Sequence, residues 1–149
     1  MTAGRSLAVA GVCAAALFAC PKTESPVRKP IPSFVSATVR RGGVGALLVR
    51  TELDVENPNR FDLRLQAVDW ELSVGGTQTV RGRAEYDVAV GAGTKAPITL
   101  RMRLPPMTAA PAVGRLTAGN NQIRVSGIMH FSSARGPVAL TFDVVGGTD

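Results

Sequence analysis

Apolar and polar residues alternate with a period of two along most of the chain from Ser33 onward. In the stretch 47–56, the odd-numbered positions are apolar apart from Thr51, and most of the even-numbered positions are charged. This alternation is typical of a β-strand with one face in a core and the other in water. The same pattern predicts further strands at 62–74, 78–84, 86–90, 98–104, 122–131 and 138–144.

Turn-forming and helix-breaking residues separate or interrupt these stretches. Asn57-Pro58-Asn59 ends the strand before it, because proline cannot donate to a sheet and asparagine favours turns. Within 62–74 the apolar phase changes, and a β-bulge near Gln66-Ala67 would reconcile the two halves. Pro111 limits any helix in the alanine-rich segment 107–118 to a short one.

The number and spacing of the predicted strands indicate an all-β protein. Seven to eight short strands with one short helix predict an antiparallel β-sandwich of immunoglobulin-like size. The chain shows no sustained helical period and no regular alternation of strands with helices. This pattern argues against a doubly wound α/β enzyme.

The N-terminal residues resemble an export signal. Arg5 precedes an uninterrupted apolar or small stretch from Leu7 to Phe18, which Pro21-Lys22 ends. As a helix this stretch would reach about 18 Å, against the ~30 Å of a bilayer's hydrocarbon core, so a transmembrane anchor is not expected.

The residues Leu17-Phe18-Ala19-Cys20 resemble the lipobox of bacterial lipoproteins, although Phe18 departs from the small residue usual there. The resemblance implies that residues 1–19 are removed as a signal peptide and that Cys20 is acylated. It implies a lipid-anchored protein of the bacterial envelope, with the outer membrane favoured over the inner. The alternative is that Cys20 is an incidental thiol.

A proline-rich segment separates the anchor from the domain. Residues 20–32 contain four prolines and several charges, which predict an extended, disordered tether. The domain is then predicted to span 33–149. Because Cys13 would leave with the signal peptide, the mature chain would keep only Cys20, and its stability must come from a core rather than from disulfides.

The chain is moderately basic, with 17 Lys and Arg against 11 Asp and Glu and a net charge of +6. Such a charge is compatible with contact to anionic lipid or another polyanion. The sequence has no basic cluster interleaved with aromatic residues, so it does not indicate nucleic-acid binding. The oligomeric state is left open by these observations.

The sequence predicts no catalytic, cofactor-binding or metal-binding residues. His130, the one histidine, falls on the outward row of its strand with no second ligand at metal spacing. No nucleophile elbow, phosphate loop or zinc-protease motif occurs. Trp70 shares the apolar phase of Leu72 and Val74 and is predicted to lie in the core.

Acidic residues form a row on one strand, comprising Glu52, Asp54 and Glu56. Nothing in the pattern folds back around them to complete a cation site. The second and fifth strands are neighbours in an immunoglobulin-like topology, so the row is predicted to pair with basic residues such as Arg101 and Arg103.

An ordered series of short motifs resembles the water-stress and hypersensitive-response (WHy) domain of the group 2 late embryogenesis abundant family. The resemblance covers about Phe34 to Val145, and its motifs are Leu53–Asn59, Phe61–Leu63, Val68–Val74, Arg81-Gly82, Ala118-Gly119 and Ile123–Gly127. It implies a fold like fibronectin type III and protection of membranes or client proteins during dehydration, freezing or heat.

The turn Asn57-Pro58-Asn59 is interpreted as structural, because its side chains suit a strand-to-strand crossing. The alternative is a ligand or partner site at that corner. The sequence as a whole therefore predicts a lipid-anchored, non-enzymatic, stress-protective envelope protein, held at the membrane by acyl chains on Cys20. The competing hypothesis is an envelope binding module for a lipid or a partner protein.

Overall fold

The computed structural model describes residues 26–77 and 80–148, which form seven strands and one α-helix. The strands are β1 (Ile31–Arg41), β2 (Leu47–Glu56), β3 (Leu63–Val74), β4 (Val80–Val90), β5 (Lys95–Leu104), β6 (Gln122–Ser132) and β7 (Val138–Gly147). The helix α1 (Pro106–Thr117) connects β5 to β6, and a 3-10 turn (Gly43–Gly45) connects β1 to β2. The predicted lipidation site Cys20 and signal peptide lie outside the described residues. Within the described ranges, no helix has the length and apolarity needed to cross a membrane.

The strands form two antiparallel sheets with their apolar faces together. The first sheet has the order β1-β2-β5 and the second has the order β4-β3-β6-β7. The prediction of an all-β sandwich with one short helix is confirmed. The stretches predicted separately at 78–84 and 86–90 form one strand over their described residues, β4 (Val80–Val90), because their apolar positions are in the same phase. The largest fully buried side chains include Phe131, Leu53, Leu63, Leu65 and Leu72.

Three local details refine the predicted elements. Strand β1, for which no separate strand was predicted, begins at Ile31, two residues before the predicted start of the domain at Ser33, so Ile31 and Pro32 of the predicted tether belong to a strand. The bulge in β3 is confirmed, since the register with both neighbouring strands shifts between Leu65 and Ala67. Helix α1 continues through Pro111, which lies on the exposed side, where water can replace the missing hydrogen bond.

Trp70 lies in the core, as its phase predicted, with 9% of its surface exposed. It stands opposite Gly82 on β4 and Gly127 on β6. The indole ring lies against Gly82, where an added Cβ would come within 2.2 Å of Cζ2 of Trp70. A glycine is therefore needed opposite the tryptophan, because any side chain would overlap the ring.

The two ends of the sandwich carry different features. The tether end has the start of β1, the β2–β3 turn and the β4–β5 turn. The far end has the β1–β2 turn and the start of α1, which lie together because Gly45 packs against Pro106. Strand β1 has 11 residues and runs from the tether end to the far end over about 35 Å.

Candidate functional site

The Asn57-Pro58-Asn59 turn joins β2 to β3 at the tether end, and both asparagines are buried, with 0% and 6% exposure. The Nδ2 of Asn57 donates to the backbone carbonyl oxygens of Phe61 at 2.8 Å and Val90 at 3.0 Å, with that of Gly91 at 3.3 Å. Its Oδ1 accepts from the backbone N–H and the side-chain amide of Asn59 at 3.0 and 2.9 Å. Asn57 therefore ties the β2–β3 turn to the β4–β5 turn.

Asn59 extends this network to the segment that precedes β1. Its Oδ1 accepts the backbone N–H of Arg28, and its Nδ2 donates to the backbone carbonyl of Arg28, both at 2.8 Å. Every polar side-chain atom of Asn57 and Asn59 thus has a partner within the protein. The turn therefore presents no unpaired side-chain amide to a ligand. Through Asn59 it also fixes Arg28 of the predicted tether on the domain.

His130 lies on the outer face of the second sheet, in a chain of ion pairs. Its Nε2 is 2.7 Å from Oδ2 of Asp69, and the Asp69 carboxylate also accepts from Nη1 of Arg83 at 3.0 Å. Arg83 in turn contacts Glu85 at 2.8 Å. The hydrogen bond from His130, with a further contribution from Arg83, lowers the pKa of Asp69 below its usual value. These side chains are partly exposed, so the chain is a solvated ion-pair network.

The contact between Asp69 and His130 was not predicted from the sequence. The two residues are 61 positions apart and meet only because β3 pairs with β6. No cluster of three or more histidine, cysteine or acidic side chains within 26–77 and 80–148 is arranged to hold a metal ion. Asp69 is therefore a structural partner of His130 in the ion-pair network.

The predicted pairing of the acidic row of β2 with Arg101 and Arg103 is wrong. Strands β2 and β5 are neighbours, but their register places Glu52 opposite Thr99 and Arg101 opposite Arg50. Glu52 instead accepts a hydrogen bond from Arg50 on its own strand at 2.8 Å. Glu56 lies opposite Lys95 of β5 and forms a salt bridge with it at 3.5 Å. Asp54 and Glu56 therefore lie toward the tether end of this face and the arginines toward the far end, with Glu52 between them.

The arginines line a groove on the outer face of the first sheet, which we call the basic groove; it is formed by the five residues Arg40, Leu48, Arg50, Arg101 and Arg103, and the half-buried Glu52 is the one acidic residue among the described residues of its lining. Arg40 and Arg103 lie opposite Leu48 on its two sides, and Arg50 lies opposite Arg101 in the next row. All five side chains are exposed, and the groove has a volume of about 530 Å³. Guanidinium groups suit the recognition of phosphate or carboxylate groups, so the groove is a candidate anion-binding surface.

Comparison with known proteins supports the fold and the family. The sequence model of the late embryogenesis abundant protein family LEA_2 matches residues 52–145 of this chain, from within β2 to within β7. A protein of Arabidopsis thaliana, solved in solution, superposes with a TM-score of 0.62 at 11% identity over 85% of each chain. A crystal structure of a protein from Archaeoglobus fulgidus superposes with a TM-score of 0.51 at 16% identity, over 78% of this chain and 98% of that one. No curated protein sequence gives a significant match.

Proposed function

Because the chain belongs to the LEA_2 family of late embryogenesis abundant proteins, we propose that it is a non-enzymatic, stress-protective protein of the bacterial envelope. In this proposal acyl chains on Cys20 hold it at a membrane, and its β-sandwich protects membranes or client proteins during dehydration, freezing or heating. The observation that carries the proposal is the family match, which covers six of the strands and the helix between them.

The tether end agrees with attachment through Cys20. Because Asn59 holds the backbone of Arg28, the segment that follows Cys20 meets the domain at one defined point. The eight residues from Cys20 to Arg28 would reach about 25 Å at the polyproline II rise. This reach is shorter than that of the full 20–32 segment. An acylated Cys20 would keep the tether end close to the membrane.

Cys20→Ser is expected to move the protein from the membrane fraction to the soluble fraction. Two or three acyl chains give lasting attachment, and serine lacks the thiol on which the diacylglyceryl group is placed. Fractionation with and without the lipoprotein-processing inhibitor globomycin measures the effect. Cys13→Ser is the matched control and should leave the protein in the membrane fraction. Cys20→Ser protein that still sediments with membranes after a high-salt wash would disprove the lipid anchor.

The protective activity predicts that the unlipidated mature chain, residues 20–149 carrying Cys20→Ser, slows the inactivation of an unrelated enzyme on freezing or heating. The effect should rise steadily with the amount of chain added, because protection by shielding needs no specific complex. Residual activity of the enzyme is the measurement, and serum albumin at equal mass is the control. His130→Gln should protect as well as the parent chain, since we assign His130 no chemistry. Protection no greater than that of albumin would refute this role.

The basic groove is the observation that favours the second candidate function, an envelope binding module. A binding module shows saturation with one ligand at micromolar or better affinity, about 8 kcal/mol or more. The two functions are distinguished by whether the chain binds one ligand saturably. A stress-protective protein that shields its clients shows no such saturation. The groove also indicates the chemistry of such a ligand.

A further inference from the structure

The charges of the basic groove are largely unmatched. Arg50 forms a salt bridge to Glu52 at 2.8 Å. Among the described residues, no salt bridge joins Arg40, Arg101 or Arg103 to a carboxylate. Three guanidinium groups on one face are therefore available to an external anion.

The outer face of the second sheet shows the opposite arrangement. Each of its arginines contacts a carboxylate on its own or a neighbouring strand: Arg64 contacts Asp87, Arg81 contacts Glu71, Arg83 contacts Asp69 and Glu85, and Arg124 contacts Asp143. Both faces carry four arginines on the same scaffold, but only the first sheet leaves most of them without acidic partners. Of the two outer faces, that of the first sheet therefore carries the arginines without acidic partners among the described residues.

The groove also places like charges in direct opposition. Arg50 and Arg101 face each other across β2 and β5, and like charges at such positions destabilise a sheet. A bound anion between them would offset this repulsion. The salt bridge from Arg50 to Glu52 offsets part of this repulsion, and an anion bound at Arg101 would offset more of it.

Exposed apolar side chains accompany the arginines. Leu48 lies between Arg40 and Arg103 and is 46% exposed. At the far end next to the groove, Val44 is 90% exposed and Met107 is 91% exposed. Val44 also adopts a left-handed conformation, φ 57°, which is strained for a β-branched residue. Arginines around exposed apolar side chains suit the interface of a membrane, where phosphates lie above hydrocarbon.

The width of the groove favours a surface of many phosphates over a single one. Its arginines occupy three adjacent strands, which span about 10 Å. The length of the tether then selects the orientation. A reach of about 25 Å from Cys20 to Arg28 is shorter than the ~35 Å length of the sandwich. The domain therefore cannot stand upright with only its far end on the membrane, because the tether is too short for that orientation. The outer face of the first sheet can lie flat on the membrane.

We propose that the basic groove docks on the anionic phospholipid headgroups of the membrane that holds the anchor. Arg40, Arg101 and Arg103 contact lipid phosphates, and Leu48 enters the headgroup layer between them. The domain then lies along the membrane with its second sheet facing away. The inference rests on the proposed anchoring for its location, but the contact itself does not require acylation.

The test measures co-sedimentation of the unlipidated mature chain carrying Cys20→Ser with vesicles of phosphatidylglycerol and phosphatidylcholine in equal parts. Adding Arg40→Gln, Arg101→Gln and Arg103→Gln together should lower the partition coefficient about 100-fold, since each basic residue near an anionic surface contributes about a factor of five. The matched control is Arg64→Gln, Arg81→Gln and Arg124→Gln, which makes the same change in net charge on the second sheet. It should change the partition coefficient less than threefold.

The fold of each variant is checked by its melting temperature, and Arg101→Gln alone should not lower it, because this substitution removes the repulsion with Arg50. Equal losses in the two triple variants would assign binding to net charge and overturn the proposal. Equal binding to pure phosphatidylcholine would overturn it as well. Inorganic phosphate should displace no more chain than sodium chloride of the same ionic strength; stronger displacement would assign the groove to free phosphate. None of these chains is acylated, so a negative result in this experiment overturns the docking proposal without affecting the proposed lipid anchor. The lipid anchor is tested separately by fractionation of the Cys20→Ser variant.

Discussion

Replacement of Asn57 by alanine is expected to lower the free energy of unfolding by about 3–5 kcal/mol. The side chain is fully buried, and it donates to the carbonyl oxygens of Phe61 and Val90 and accepts from Asn59. Alanine would leave these groups without a partner, and each unpaired buried group costs about 1–3 kcal/mol. Urea unfolding followed by circular dichroism measures the loss.

Two further substitutions show whether the hydrogen bonds are the cause. Asn57→Asp keeps the shape and one acceptor but faces carbonyl oxygens with a carboxylate, so it should also destabilise the domain, and less so at a pH where the acid is protonated. Asn121→Ala removes an exposed asparagine and should change the free energy of unfolding by less than about 0.5 kcal/mol. If Asn57→Ala behaves like Asn121→Ala, the turn is not a structural element, and its alternative interpretation as a ligand site returns.

Trp70→Ala should also lower the free energy of unfolding by about 3–5 kcal/mol, because it empties the space between two sheets of a close-packed core. Trp70 is buried and lies in the same cluster as Leu72 and Phe142. Thermal and urea unfolding of the purified chain measure the effect. A melting temperature equal to that of the parent would mean that the indole is not packed in the core.

Gly82 provides a sharper version of this test. In the parent chain, Gly82→Val should destabilise the domain, because an added Cβ would overlap the Trp70 ring at 2.2 Å. In the Trp70→Ala background the same change should stabilise it, since the valine fills the vacated space and favours a strand. The contact predicts this reversal of sign in a double-mutant cycle. A destabilising effect in both backgrounds would show that Gly82 is needed for its backbone rather than for the ring.

The contact with Trp70 therefore explains why a glycine is needed at position 82, which the Arg81-Gly82 motif by itself did not explain. The sequence placed a glycine at the start of a stretch resembling a known family, but it did not indicate what the glycine contacts. The register of β3 with β4 brings it under Trp70. The same holds for Asn57, whose turn was predicted but whose partner Val90 lies 33 residues away.

Six of the seven strands that the structure describes, their inward residues, the bulge near Gln66 and the core position of Trp70 could be predicted from the sequence, whereas β1 was not predicted as a separate strand. Alternation is a local property: in a strand, successive side chains point to opposite faces, so each residue's face follows from its position alone. The family resemblance is also contained in runs of neighbouring residues, as is the resemblance of the N-terminal residues to an export signal, which stays a prediction. This information was sufficient for the fold class and for the proposed family.

Only the tertiary structure decided which residues on a face become neighbours. The offset between two paired strands depends on the packing of the whole sandwich, and a small shift changes every cross-strand partner. The immunoglobulin-like topology correctly predicted that β2 lies beside β5, but the predicted pairing of Arg101 and Arg103 with the acidic row is wrong. The actual register places Arg40 and Arg103 on the two sides of Leu48 and Arg101 opposite Arg50 in the next row. The basic groove therefore exists through register, which no local pattern of residues encodes.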